Sequence, residues 1–132
     1  MGAIDALRRP EVEGENPSWE IYINGGRTAT GIDALEWVEE LVGRGAGELV
    51  LNSIDADGTR EGYDLELNQE VARRVDVPIV ASGGAGNLEH IHQVLTEGEA
   101  SAALAASIFH YQQHTIGEVK DFLGQRGVVV RR

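Results

Sequence analysis

Apolar residues recur along this chain in two rhythms that alternate, one helical and one nearly continuous. From Gly31 to Arg44, Ile32, Leu35, Val38, Leu41 and Val42 form a stripe opposite Glu36, Glu39 and Glu40. That pattern predicts an amphipathic helix, closed by Gly45 and Gly47. Glu48 to Ile54 is a short, almost unbroken apolar run, as expected of a strand covered on both faces. Asp64 is placed to cap a second helix carrying Leu67, Val71 and Val75; Asp76-Val77-Pro78 ends it, and Ile79 to Ser82 predicts the next strand. Asn87 caps a third helix with Leu88, Ile91, Val94 and Leu95 on one side. Thr115 and Glu118 have the spacing of a capping box for a fourth, with Val119, Phe122 and Leu123 inside.

Ala100 to Phe109 sets two criteria against each other. Alanine is intrinsically helical, but the rhythm asks for a strand, and strand is the assignment made here. Residues 7–30 break the alternation: Pro10, Gly14 and Pro17 punctuate an acidic loop, and Trp19 to Asn24 alternates as a strand before Gly25-Gly26. This predicts a hairpin inserted after the first strand. Strands ending at Asp5, near Ile54, near Ser82 and near Ser107 then make four βα units. The expectation is an α/β fold of parallel strands with outer helices, the (βα)4 half of a (βα)8 barrel, as one domain over residues 1–132. Such a half leaves two sheet edges unpaired and barrel-facing apolar side chains uncovered, with Leu49, Leu51, Ile79 and Val80 as candidates. Both defects predict a homodimer, or association with another half-barrel.

Composition sharpens the picture in three places. No cysteine is present, which removes disulfides, thiol nucleophiles and thiolate metal ligands. The formal net charge of −11 argues against nucleic acid, whose phosphates are bound by clustered Lys and Arg. No apolar run reaches membrane-spanning length and Met1 opens no basic-then-apolar leader, so a soluble, cytoplasmic chain is expected. Lys120 is the one lysine among eleven basic residues, and an acidic, lysine-poor surface suits a salt-rich cytoplasm.

Residues able to do chemistry gather at the predicted strand ends, which form the active face of parallel α/β folds. The third and fourth units end in Ser82-Gly83-Gly84-Ala85-Gly86-Asn87 and Ala105-Ala106-Ser107. Glycines allow close backbone approach, and N–H groups at a following helix start favour an anion, so the two together predict a phosphate site. Asp55 and Asp57 are two apart and would share a face of an extended segment. They suit acid–base work, a metal, or a turn in which they accept from nearby backbone N–H groups. Ile4-Asp5-Ala6-Leu7 recurs as Ile32-Asp33-Ala34-Leu35; the second copy opens a helix, where Asp33 is only a favourable first-turn charge. The first copy ends a strand, where an aspartate can face a pocket. His90 and His92 point to different sides of a helix, and His110 and His114 lack a third ligand, so all four histidines read as bystanders.

Four segments carry a family resemblance: Ala3 to Ala6; Ser53 to Thr59 with Gly62-Tyr63-Asp64; Ala81 to Gly86 with Glu89-His90; and Ala103 to His110. Together they resemble the second half of the cyclase subunit of imidazole glycerol phosphate synthases, over essentially the whole chain. The phosphoribosyl-formimino isomerase of the same pathway shares the half-barrel pattern but reads differently at Ser53-Ile54-Asp55 and Ser107 to His110. The resemblance implies an enzyme that takes a bisphosphorylated ribulosyl aminoimidazole carboxamide nucleotide and ammonia. Its products are imidazole glycerol phosphate and aminoimidazole carboxamide ribotide, with ammonia supplied by a glutaminase subunit on the opposite face. It also implies roles: Asp5 as one of two catalytic aspartates, Asp57 as an auxiliary carboxylate, and Asn52 as a substrate-lining residue. Gly58, Ser82, Gly84, Ala106 and Ser107, with Gly83 beside them, match the site for one substrate phosphate, and no metal or cofactor is called for. The second catalytic aspartate and the other phosphate site belong to the family's first half, so little turnover is expected from this chain alone. Alternatives are a self-associating half-barrel that binds phosphate without turnover and, behind it, an isomerase-like enzyme.

Overall fold

The computed structural model describes residues 2–10, 12–24, 26–56, 62–105 and 115–130. Strands β1 (Gly2–Arg8), β2 (Trp19–Ile23) and β3 (Thr28–Asp33) lead into α1 (Ala34–Gly43). The remaining described elements are β4 (Leu49–Ser53), α2 (Leu65–Arg74), β5 (Ile79–Ser82), α3 (Leu88–Thr96), β6 (Ala102–Ala103) and α4 (Ile116–Gln125). They form one six-stranded sheet in the order β3-β2-β1-β4-β5-β6. β1, β4, β5 and β6 run parallel, whereas β2 is antiparallel to both β1 and β3.

Local capping chemistry places the helices. Asp33, Asp64, Asn87 and Thr115 are extended N-caps whose side chains accept from the N–H groups of Glu36, Leu67, His90 and Glu118. Each helix then turns an apolar stripe to the sheet: Leu35 and Val38 from α1, Leu67 and Val71 from α2, Ile91 and Val94 from α3, Val119 and Leu123 from α4, all buried. The first two pairs pack with Ile4, Ala6, Trp19, Ile21, Leu49, Leu51 and Ile79 in one core cluster, and the last two pairs with Ala81 and Ala85 in a second. Leu49, Leu51, Leu67, Val38 and Val71 are essentially sealed from solvent, each contributing about 1.5–3 kcal/mol by leaving water.

Alternation along the strands fixes a second face. Ile4, Ala6, Leu49, Leu51, Ile79 and Ala81 turn to the helices. Ala3, Asp5, Val50, Asn52, Val80 and Ser82 point the other way, and none of these is buried. Of the four residues expected on the uncovered face, Leu49, Leu51 and Ile79 therefore lie on the helix side, and Val80 alone lies opposite. A continuous apolar run contains no parity information; the helices that cover one face supply it.

Other boundaries also move. β1 does not end at Asp5 but continues to Arg8, because Asp5 to Arg8 pair with Tyr22 to Trp19 of β2. Gly31 to Asp33 belong to β3, and α1 starts only at Ala34; Ile32, expected on the helical stripe, is 41% exposed. Asp33 is more than a first-turn charge, since it caps α1 and pairs with Arg9 at 2.9 Å. In the alanine-rich stretch, Ala102 and Ala103 are strand, flanked by hydrogen bonds from Ser101 N to Ile79 O and from Leu104 N to Ala81 O. Residues 106–109 of that stretch lie outside the described residues.

Candidate active face

The parallel register sets three polar side chains in one row across the open face. Asp5 is opposite Asn52, and Asn52 is opposite Ser82. Tyr22 of β2 extends the row on the other side of Asp5. The Asn52 side-chain amide donates to Asp5 Oδ1 at 3.0 Å, which orients the carboxylate, and Oδ2 has no hydrogen-bond partner among the described residues. Below the row, Ala3, Val50, Val80 and Ala102 line up in register, an apolar floor of small and branched side chains. A carboxylate above such a floor, held by an amide neighbour, is equipped to take up or deliver a proton.

The loops beyond the strand ends are tied to one another. Ser53 Oγ accepts from Ala56 N at 3.3 Å, and Ile54 N donates to Ala6 O at 2.9 Å. Asp55 Oδ2 accepts from Arg8 N at 2.6 Å. This bond straps the loop to β1, and its donor stands 47 positions away rather than in the local turn. No group of three or more His, Cys, Asp or Glu among the described residues is arranged to hold a metal ion. Gly62 N donates to Gly84 O at 2.7 Å, which joins the loop before α2 to the glycine turn after β5. Tyr63 donates its hydroxyl to Leu104 O at 2.5 Å and thereby reaches the end of β6. Burial pushes that hydroxyl above its ordinary pKa.

Below these ties, Asp64 gathers three segments. Its Oδ1 accepts from Leu67 N at 3.0 Å and from the Arg8 guanidinium at 3.3 Å, and its Oδ2 from the Trp19 indole at 2.8 Å. Arg8 also stacks over the fully buried Trp19 ring at 5.1 Å. Burial alone would lower the pKa of Arg8, but Asp64 and Glu66 together hold it above its ordinary value.

The glycine turn is packed from behind. Gly83, Gly84 and Ala85 are buried. A Cβ on Gly84, whose φ is +113°, would fall 2.1 Å from Gly62 O. Close approach at Gly84 is thus already used by a neighbouring loop. His90 is no bystander: its Nδ1 accepts from Gly86 N at 3.0 Å. The sequence did carry a signal for it. Asn87-Leu88-Glu89-His90 has the four-residue spacing of a capping box, with histidine at the position that reaches back, here one residue further, to Gly86 N–H instead of that of the N-cap. Arg8, Trp19 and Tyr63 carried no comparable signal, because these hydrogen-bond partners lie 41 or more positions away along the chain.

Of the residues singled out for catalysis and binding, Asp5, Asn52 and Ser82 share one row, and Gly83 and Gly84 lie just past Ser82. Asp57, Gly58, Ala106 and Ser107, and with them His110 and His114, lie outside the described residues. None of the described helices is long and apolar enough to cross a membrane.

The chain is 61% identical over 98% of its length to imidazole glycerol phosphate synthase subunit HisF of Symbiobacterium thermophilum, covering 49% of that protein. It is 54% identical to the subunit of the same name from Synechocystis sp. and 57% identical to that of Microcystis aeruginosa, again over 98% of the chain and 49% and 50% of those proteins. It thus spans about half the length of the curated relatives it matches. The sheet with its four helices fits a part of a (βα)8 barrel. The family described as histidine biosynthesis protein matches residues 1–115, and the chain belongs to that family.

Proposed function

We propose that this chain is the second half of the cyclase subunit of an imidazole glycerol phosphate synthase, a (βα)4 half-barrel with a hairpin after its first strand. The observation that carries the reading is the Asp5–Asn52 pair, in one row with Ser82 and next to the glycine turn. Barrels often bind phosphate after strands seven and eight. A glycine turn on the third parallel strand and small residues on the fourth match those positions if the four strands are numbers five to eight. In this reading Asp5 is the acid–base group of this half, held in orientation by Asn52. Ser82, Gly83 and Gly84 serve one substrate phosphate, joined on sequence grounds by Gly58, Ala106 and Ser107, with Asp57 as an auxiliary carboxylate.

The reaction assigned is cyclisation and cleavage of the bisphosphorylated ribulosyl aminoimidazole carboxamide nucleotide with ammonia. It needs one group that gives a proton while another removes one across the bound substrate. The chain supplies the first group in Asp5, and its counterpart belongs to the half that completes the barrel. A glutaminase subunit on the opposite face would deliver ammonia, and the cytoplasm is the compartment proposed. The test is a cyclase assay of the purified chain with and without a matching first half. Turnover is expected only from the mixture, and Asp5→Asn in the mixture is expected to lower it by about 10²–10⁴-fold. Near-full rates from the chain alone, or an active Asp5→Asn mixture, overturn the assignment.

A further inference from the structure

The turn after β5 costs conformational entropy to hold in place. Gly83 and Gly84 both have φ in the range that other residues avoid, +91° and +113°, and glycine loses more freedom on ordering than any other residue. Two contacts fix the turn from outside: Gly62 N–H on Gly84 O at 2.7 Å, and His90 Nδ1 on Gly86 N–H at 3.0 Å. The two are adjacent, because the His90 ring is 3.4 Å from where a Cβ of Gly62 would stand. His90 is itself fixed at the start of α3, its own N–H donating to Asn87 Oδ1 at 2.9 Å.

From this geometry we infer that His90 is a positioning residue for the glycine turn. By accepting from Gly86 N–H and lying against Gly62, it holds the loop before α2 and the turn after β5 in one arrangement. The inference rests on the reading of that turn as a phosphate site. A neutral imidazole has one donor and one acceptor nitrogen, and a backbone N–H can only donate. Acceptance at Nδ1, at 3.0 Å, therefore puts the ring proton on Nε2, and the Asn87 amide nitrogen 3.5 Å from Nε2 then donates no hydrogen bond to it. An anion then meets a turn whose ordering is already complete, which raises affinity without any contact from His90 itself.

Two measurements on the 132-residue chain test this. The first is the ¹⁵N spectrum of the His90 ring at neutral pH, which needs no variant and no ligand. An Nε2–H tautomer is expected, and an Nδ1–H tautomer overturns the inference. The second is titration with inorganic phosphate, followed at the Gly83 and Gly84 amides. His90→Phe keeps a ring against Gly62 but loses the acceptor, and is expected to weaken binding about five- to tenfold, the scale of one hydrogen bond. His90→Gln, whose side-chain oxygen restores an acceptor at the same helix position, is expected to recover most of that loss. Equal phosphate affinity in wild type and His90→Phe overturns the positioning role and leaves the phosphate site standing. Equal weakening in His90→Phe and His90→Gln also overturns it. Absence of phosphate binding in the wild type overturns the phosphate reading itself, and the positioning role falls with it, even where the tautomer is as expected.

Discussion

Gly84→Ala tests how tightly the strand-end loops interlock. The alanine Cβ would stand 2.1 Å from Gly62 O, 2.7 Å from Gly62 C and 3.0 Å from the Ala56 Cβ. Ordinary contact begins near 3.4 Å, so Gly62 must retreat by about 1.3 Å. That retreat breaks the 2.7 Å hydrogen bond from Gly62 N to Gly84 O, a loss of about 1 kcal/mol, and leaves a strained backbone contact that costs about as much again or more. A side chain at φ +113° adds its own penalty, roughly 1–3 kcal/mol. Gly45→Ala isolates this last contribution, because Gly45 has φ +106° and nothing within 4 Å of its missing Cβ. Urea unfolding at one fixed protein concentration, with unchanged m, should show Gly84→Ala less stable than Gly45→Ala by about 1–3 kcal/mol. Hydrogen exchange should speed at the Gly62 amide in Gly84→Ala alone. Equal destabilisation by the two substitutions would refute the interlocked-loop argument.

Asp64→Ala removes an N-cap and strips the buried Trp19 indole of its partner, so a loss of about 2–4 kcal/mol in urea unfolding is expected; a loss under about 0.5 kcal/mol would contradict the role given to Asp64. Tyr63 is raised in the folded chain while an unfolded tyrosine titrates near pH 10. Its contribution is therefore complete below about pH 10 and declines as pH rises above it. Tyr63→Phe should flatten the fall in stability over that alkaline window, and identical slopes would show that the burial of Tyr63 has no such consequence. Sedimentation at micromolar concentration should find a dimer or larger species, since among the described strands β6 pairs only with β5 and Val50 and Val80 line an open face. A compact monomer would count against it.

Much of the fold could be read from the chain because its determinants are short-range. Asp64, Asn87 and Thr115 cap the helices they were expected to cap, since an N-cap and its N–H partner lie within three residues. Ile79–Ser82 is a strand over the span its apolar run predicts. The candidate site was legible as far as strand ends bearing Asp5, Asn52, Ser82 and two glycines. That the first three form one row, with an amide on a carboxylate, follows from parallel register, which no single strand encodes.

The remainder waited on tertiary structure for the same reason. Gly31 to Asp33 satisfy a helical pattern, but Asp33 pairs with Glu20 of β2 beyond a register irregularity, and the three are strand. Asp5 became an interior strand residue because Arg8 found Trp19 across an antiparallel ladder. Leu49, Leu51 and Ile79 could have faced either side, and the apolar stripes of α1 and α2 decided it. The ties among the loops, Asp55 to Arg8, Gly62 to Gly84, Tyr63 to Leu104, join residues 22 to 47 positions apart. By itself the sequence determined which segments coil, which extend and where acids and glycines punctuate them, because these depend on a few neighbouring side chains. Which faces are covered, where β1 stops and which groups meet depended on distant segments packing together, and only the folded chain decides that.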